Sequence, residues 1–326
     1  PVMGRLEFDL RRPRQQIDRV FACRSVRDMN RPILAVLLAF LLVPLLATGA
    51  AIAGSQPPLA DVQSENGRAN MRPDQPVVLV VCASGSIGVP AVAEALRRGY
   101  ETRALVRDPA QARLFPDGVQ VVVGDLTRAE TLHEAVAGVT GIIFTHGIGG
   151  NDPEGAEQVN YGAVRNVLGV LKAPARIALM TAVGVTKPSV GHDWKRRGER
   201  LVRASGLPYT IVRPGWFDYN APDQHRLVLR QGDTHWAGSP SDGVVARAQI
   251  AQVLVASLTS SAANRKTFEL VAEQGAAQTD LEPLFSALPA DPVAGYDGIR
   301  DRDNLPLAKE PAAVVRDLDA IRGRFE

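Results

Sequence analysis

Short apolar runs alternate with stretches of helical periodicity along most of the chain. Val77–Val81 is a continuous apolar run; a glycine-spaced turn follows, then an amphipathic helix closed near Gly99. Thr102–Val106, Val119–Val123, Gly141–Thr145, Ile177–Thr181 and Tyr209–Val212 are further strand-length runs. Between them, Leu132–Ala137, Asn160–Leu171 and Lys195–Ser205 carry helical spacing; in the second, Val164, Val167, Leu168 and Leu171 share one face. Lys195–Ser205 reads as an exposed basic helix stopped by Gly206. Strands alternating with helices predict an α/β fold, a doubly wound parallel sheet covered on both faces. Regularity fades from about Gly215, where Ala246–Leu258 and Pro311–Ile321 are the clear remaining helices. They are expected in a small C-terminal substrate lobe over the sheet's carboxyl edge, where such folds bind ligands.

The front of the chain breaks this pattern. Residues 1–31 hold eight arginines against four acids, whereas the whole chain carries a net charge of only +2. The remainder is therefore slightly acidic, and nothing in the folded part points to nucleic acid as a partner. Ile33–Ala53 follows, 21 residues without a charge or a polar face. Two readings fit. The chain could use Met29 as a start, with a signal peptide cleaved after Ala51-Ile52-Ala53; or the segment stays as a membrane anchor kinked at Pro44. Either would export the folded domain, and membrane contact would come only through this segment if uncleaved. If the segment is not translated, the domain is cytoplasmic. Residues 54–76, with Pro57, Pro58, Pro73 and Pro76, read as a linker, which leaves 77–326 for the domain. The two cysteines, Cys23 and Cys82, suggest neither a disulfide framework nor a metal site.

The turn after the first strand carries candidate chemistry. It reads Cys82-Ala83-Ser84-Gly85-Ser86-Ile87-Gly88. Gly85 and Gly88 allow a tight turn and a close backbone approach to a pyrophosphate, which the free N–H groups of a helix start favour. With Val106-Arg107-Asp108, Gly124-Asp125-Leu126, Asn160-Tyr161 and Asn166, Lys195 with Glu199, and Tyr209–Gly215 in order, the chain resembles the atypical short-chain dehydrogenases/reductases of the NAD(P)-binding, NmrA-like kind. The resemblance covers about Val77 to Gly215 and implies a Rossmann-type sheet. Cys82 stands where that family commonly has its first glycine. With ordinary backbone angles it would be tolerated there as a buried, inert thiol.

The resemblance assigns Ser84, Gly85, Ser86, Ile87 and Gly88 to the dinucleotide phosphates, and Asp125 and Leu126 to the adenine. For Asp125 the plainer alternative is a strand-end turn or cap. Arg107 closes the second strand where a 2′-phosphate needs a cation, so NADP is the expected cofactor, with NAD the alternative. Otherwise Arg107 is a surface residue paired with Asp108. Lys195 resembles the lysine that holds the nicotinamide ribose, and Thr181 the hydroxyl that steadies a substrate carbonyl. The tyrosine that donates the proton in such reductases is missing; Gly191 stands there. His192, His146, Tyr161 and Tyr219 are substitutes, each with a structural reading as a loop or packed residue, and Trp194 would cover the nicotinamide or the pocket wall. Two functions follow. One is an NADPH-dependent oxidoreductase of a small carbonyl or quinone-like substrate, using Thr181, Lys195 and His192. The other is a non-catalytic dinucleotide-binding redox sensor or assembly factor. A sugar-nucleotide epimerase is weaker, since it too needs the tyrosine. Lys195-Arg196-Arg197 is read as a solvated helix face beyond its lysine, and Asp301-Arg302-Asp303 as a surface ion network or turn.

Overall fold

Valine-rich runs with no polar side to show to water end up at the centre of the sheet. The computed structural model describes residues 75–149 and 152–325. The tail, the apolar segment and most of the linker, with the signal-peptide or anchor reading, lie outside the described residues. Among those residues no helix is long and apolar enough to cross a membrane.

Six parallel strands carry the first part of the fold: β1 (Val77–Val81), β2 (Glu101–Val106), β3 (Gln120–Val123), β4 (Gly141–Phe144), β5 (Arg176–Met180) and β6 (Tyr209–Pro214). Their spatial order is β3-β2-β1-β4-β5-β6, so the winding reverses between β1 and β4. That reversal opens a crevice at the carboxyl ends of β1 and β4, the place where doubly wound sheets bind ligands. The later strands are β7 (Trp216–Phe217), β8 (Arg226–Arg230), β9 (Val244–Val245) and β10 (Lys266–Glu273). They extend the same sheet: β10 runs parallel to β6, while β8 and β9 pair with it antiparallel.

Period-two alternation sends neighbouring residues to opposite faces. Val78, Val80, Ala178 and Val212 pack with α1 (Gly88–Arg97) and later α6 (Arg247–Ser257). Leu79, Val81, Ile177 and Ile211 pack beneath α4 (Gly162–Val170), α5 (Val190–Ala204) and α8 (Ala312–Ile321). Three short helices complete the set among the described residues, α2 (His133–Val136), α3 (Pro153–Gly155) and α7 (Glu282–Ser286). Ahead of α4, Ala156–Tyr161 form a π-helical turn. Its Asn160 carbonyl lies 2.9 Å from where a Cβ on Gly198 would sit, so only glycine lets α5 cross there.

Two expectations fail around α5. The helix is not an exposed basic one. Arg196 is 1% exposed and donates to Asp297, Asn304 and the Arg302 carbonyl. Arg197 pairs with Glu310 and lies over the Trp194 ring, so neither arginine belongs to a solvated face. Nor is Asp301-Arg302-Asp303 merely surface: the Asp301 carboxylate is buried and grips Arg213 with both oxygens at 2.7 Å. The partners come from about a hundred residues downstream, and helical periodicity carries no trace of them.

Candidate dinucleotide site

The β1 loop turns tightly: the Gly85 N–H donates to the Cys82 carbonyl at 3.0 Å, and α1 begins at Gly88 with no side chain capping it. A Cβ at Gly88 would come within 2.5 Å of the Cys82 and Ala83 carbonyl oxygens. The strand end and helix start thus touch through backbone alone; the Val89 N–H donates back to the Gly85 carbonyl, and the Gly88 amide at the head of α1 precedes the first intrahelical bond. This cradle fits a pyrophosphate. Cys82 corrects the expectation of ordinary angles. Its φ is 61°, in the left-handed region, and its side chain is half-buried rather than buried. The residue takes a conformation in which glycine is the least strained.

At the next two strand ends the expected cofactor residues face the same edge. Arg107 is exposed directly after β2. Asp108 caps the following 3-10 turn, its Oδ1 accepting from the Ala110 N–H at 2.9 Å. After β3, Asp125 Oδ1 accepts from the Thr127 amide and hydroxyl. It forms the strand-end turn that was the plainer alternative for it. Leu126 packs against the core, and its carbonyl accepts from Asn166 Nδ2 at 2.7 Å.

Lys195 reaches from the first half of α5 to the loop after β4. Its Nζ donates to the Ile148 carbonyl and to Asn160 Oδ1, both at 3.0 Å, and lies 3.2 Å from where a Gly147 Cβ would be. Burial draws its ammonium down to about 8. Asn160 Oδ1 also accepts from the Ile148 amide, while its Nδ2 donates to the Ile148 and Gly191 carbonyls. It ties the β4 loop to the start of α5. In the sequence Asn160 stands out only as part of the Asn160-Tyr161 motif.

The expected catalytic groups are not gathered around one reacting point. The Thr181 hydroxyl donates to Glu199 Oε1 at 2.7 Å, inward toward the buried charges behind β6. His192 Nδ1 lies 3.3 Å from the Lys187 carbonyl in the β5–α5 loop, and burial lowers its pKa. His146, 4% exposed after β4, is drawn down to about 4 by burial and then by the nearby Lys195 charge. It is a neutral ring at pH 7, not an acid. The Tyr161 hydroxyl donates to Asp317 at 2.8 Å, away from the crevice, and Tyr219 is 60% exposed. Trp194 packs on Tyr161 and beneath Arg197, a place among helices rather than on a pocket wall. Among the described residues no group of three or more His, Cys, Asp or Glu side chains could hold a metal ion.

A glycine cradle at the switch point of a parallel sheet, with a half-buried lysine across the crevice, defines a dinucleotide-binding α/β protein. The chain belongs to the NAD(P)H-binding family, whose model matches residues 82–261. It is similar to sanguinarine reductase of Eschscholzia californica, 26% identical over 64% of this chain and 94% of that protein. It is also similar to the photosystem II assembly factor Ycf39 of Cyanophora paradoxa, at 26% over 65% and 68%. Protein TIC 62 of Pisum sativum matches at 26% over 67% of this chain, which spans only 47% of that protein. The oxidoreductase ylbE from Lactococcus lactis shares the fold, with TM-score 0.52, 14% identity and coverage of 65% and 96%.

Proposed function

We propose that the chain is an NADPH-dependent reductase whose substrate accepts hydride without an enzymic acid, as a quinone-like ring does. The observation that carries this is the half-buried Lys195, held by Asn160 and the Ile148 carbonyl beside the β4 loop. Bound NADPH supplies the hydride. Ser84–Gly88 would seat its pyrophosphate on the α1 amides, and Asp125 and Leu126 its adenine. Arg107 would take the 2′-phosphate as a planar fork. The Lys195 ammonium would hold the nicotinamide ribose and favour negative charge developing on the substrate. With Gly191 in the tyrosine's place and the Thr181 proton given to Glu199, a simple ketone has no evident donor within reach. A ring that delocalises the arriving charge needs none. His192 remains the candidate to lie against such a substrate. Two reductases among the relatives, named for sanguinarine and for NAD(P)H-dependent azo reduction, support this reading.

A second reading rests on the same missing donor: a dinucleotide sensor or assembly factor, the kind of role that the name Ycf39 carries. Titration with NADPH and NADH, followed by nicotinamide fluorescence, tests the cofactor; a quinone and aldehyde panel tests turnover. For a reductase, quinones oxidise bound NADPH and Lys195→Ala abolishes it. For a sensor, the panel is inert and Lys195→Ala only weakens binding. Arg107→Asp should cut NADPH affinity about tenfold relative to NADH; an unchanged ratio removes the case for the 2′-phosphate. Residues 33–53 would direct the reductase to or across a membrane, which fractionation of cells expressing the full chain would reveal.

A further inference from the structure

One buried polar atom at the carboxyl end of β4 is left unsatisfied by the fold. His146, the second residue past β4, packs edge-on against Phe144 with ring centroids 5.5 Å apart. One ring nitrogen bonds the Asn160 backbone, which accepts its proton. The other, Nδ1, is buried and has no hydrogen-bond partner. In a neutral imidazole it is then the acceptor, because the single proton resides on the nitrogen facing Asn160. Of the donors on neighbouring residues, the Thr145 hydroxyl is given to the Val81 carbonyl at 2.8 Å, and Lys195 Nζ spends two of its three N–H groups on the Ile148 carbonyl and Asn160 Oδ1. A buried acceptor without a donor is costly, and such atoms are found mainly where a ligand completes them.

We propose that His146 Nδ1 accepts a hydrogen bond from a hydroxyl of the nicotinamide ribose of the bound dinucleotide. The inference rests on the dinucleotide reading of the β1 loop and adds a contact to its nicotinamide half. The winding reversal puts β2, with Arg107, on one side of the crevice and β4, with His146, on the other. A dinucleotide with its pyrophosphate at α1 therefore extends its adenosine toward Arg107 and its other ribose toward β4. Lys195, the lysine assigned to that ribose, stands beside His146, and its charge helps to keep the ring neutral. A neutral acceptor and a cationic donor side by side suit the two vicinal hydroxyls of one ribose.

The test compares NADPH with adenosine 2′,5′-bisphosphate, which lacks the nicotinamide half, on the wild type, His146→Phe and His146→Asn. Phenylalanine fills the space without an acceptor; asparagine restores an acceptor near the Nδ1 position. The expected result is an affinity for NADPH about tenfold lower in His146→Phe. Affinity for the bisphosphate stays unchanged, and most of the NADPH loss is recovered in His146→Asn. Undiminished NADPH binding by His146→Phe overturns the inference. An equal loss of both ligands also does, because it marks a general disturbance of the crevice. If the wild type binds neither ligand, the dinucleotide reading itself falls and takes this contact with it.

Discussion

The two halves of α5 solve opposite problems. Its first turns, with Gly191, His192 and Lys195, border the crevice, where geometry is set by glycines, an uncapped helix and a few bonds to loop carbonyls. Its second half lies in a buried ion lattice. Glu199 accepts from Thr181, Arg203 and Arg213; Arg200 bridges Asp297 and Glu310; Arg203 reaches Asp291. Five arginines there face six acids, counting Glu269 at 3.6 Å from Arg213. Burial pushes the Glu269 carboxyl up to about 8, so at pH 7 it is protonated and the charges balance. The difference teaches where each kind of order is affordable. Charges locked in pairs fix the scaffold behind β6, while polar groups not fully committed are kept for the edge where a ligand must enter.

The largest effect should come from breaking the lattice at its centre. Arg213 holds Glu199 and Asp301, and all three side chains are at most 1% exposed. Arg213→Met leaves Asp301 buried without its cation and Glu199 with Arg203 alone, at a cost of about 3–5 kcal/mol. Urea unfolding measures it. Under conditions where the variant remains folded, NADPH affinity should stay within a few fold of wild type, because the lattice lies behind the cradle rather than in it. A variant of wild-type stability would mean that the network contributes nothing net.

How much of this could be read beforehand divides along the same line. The strands and the glycine cradle were legible because each is local: an apolar run, a spacing, a dipeptide after a strand. The lattice was not. Arg196, Arg197, Arg200 and Arg203 look like a solvated face, since a helix records only its own period and their partners at 291–310 lie in irregular chain. Asp301-Arg302-Asp303 misled for the same reason. The candidate site fell between these extremes. Lys195 and Thr181 were visible as residues of a familiar spacing, but that Thr181 turns inward to Glu199 depends on the arginines that fix Glu199.

A middle-sized effect tests the protonation of Glu269. Its folded pKa, about 8, stands above the unfolded value of about 4.3. The folded chain thus holds a proton that the unfolded chain releases. Its stabilising contribution is complete below about pH 4 and is lost as pH rises through 8. Glu269→Gln keeps the neutral shape and removes the titration. In unfolding free energies measured between pH 5 and 9, the wild type should lose up to about 4 kcal/mol relative to the variant, because each pH unit between 5 and the folded pKa is worth about 1.4 kcal/mol. Parallel curves would show Glu269 ionised and the lattice one negative charge in excess.

The smallest effect sharpens the account of the crevice. Cys82 adopts φ 61°, and its carbonyl accepts the Gly85 amide that closes the cradle. A residue with a Cβ pays about 1–2 kcal/mol in that region; glycine does not, though it gives back part through the freer unfolded chain. Cys82→Gly should therefore raise stability by roughly 0.5–1 kcal/mol, read from the denaturant midpoint at constant slope. NADPH affinity should hold, because the amides of Ser84–Gly88 are positioned by the turn and not by the thiol. A less stable variant would mean that the contacts of Cys82 Sγ, which lies 3.4 Å from where a Gly85 Cβ would be, outweigh the backbone strain. Weaker NADPH binding at unchanged stability would assign the thiol a part in shaping the cradle itself.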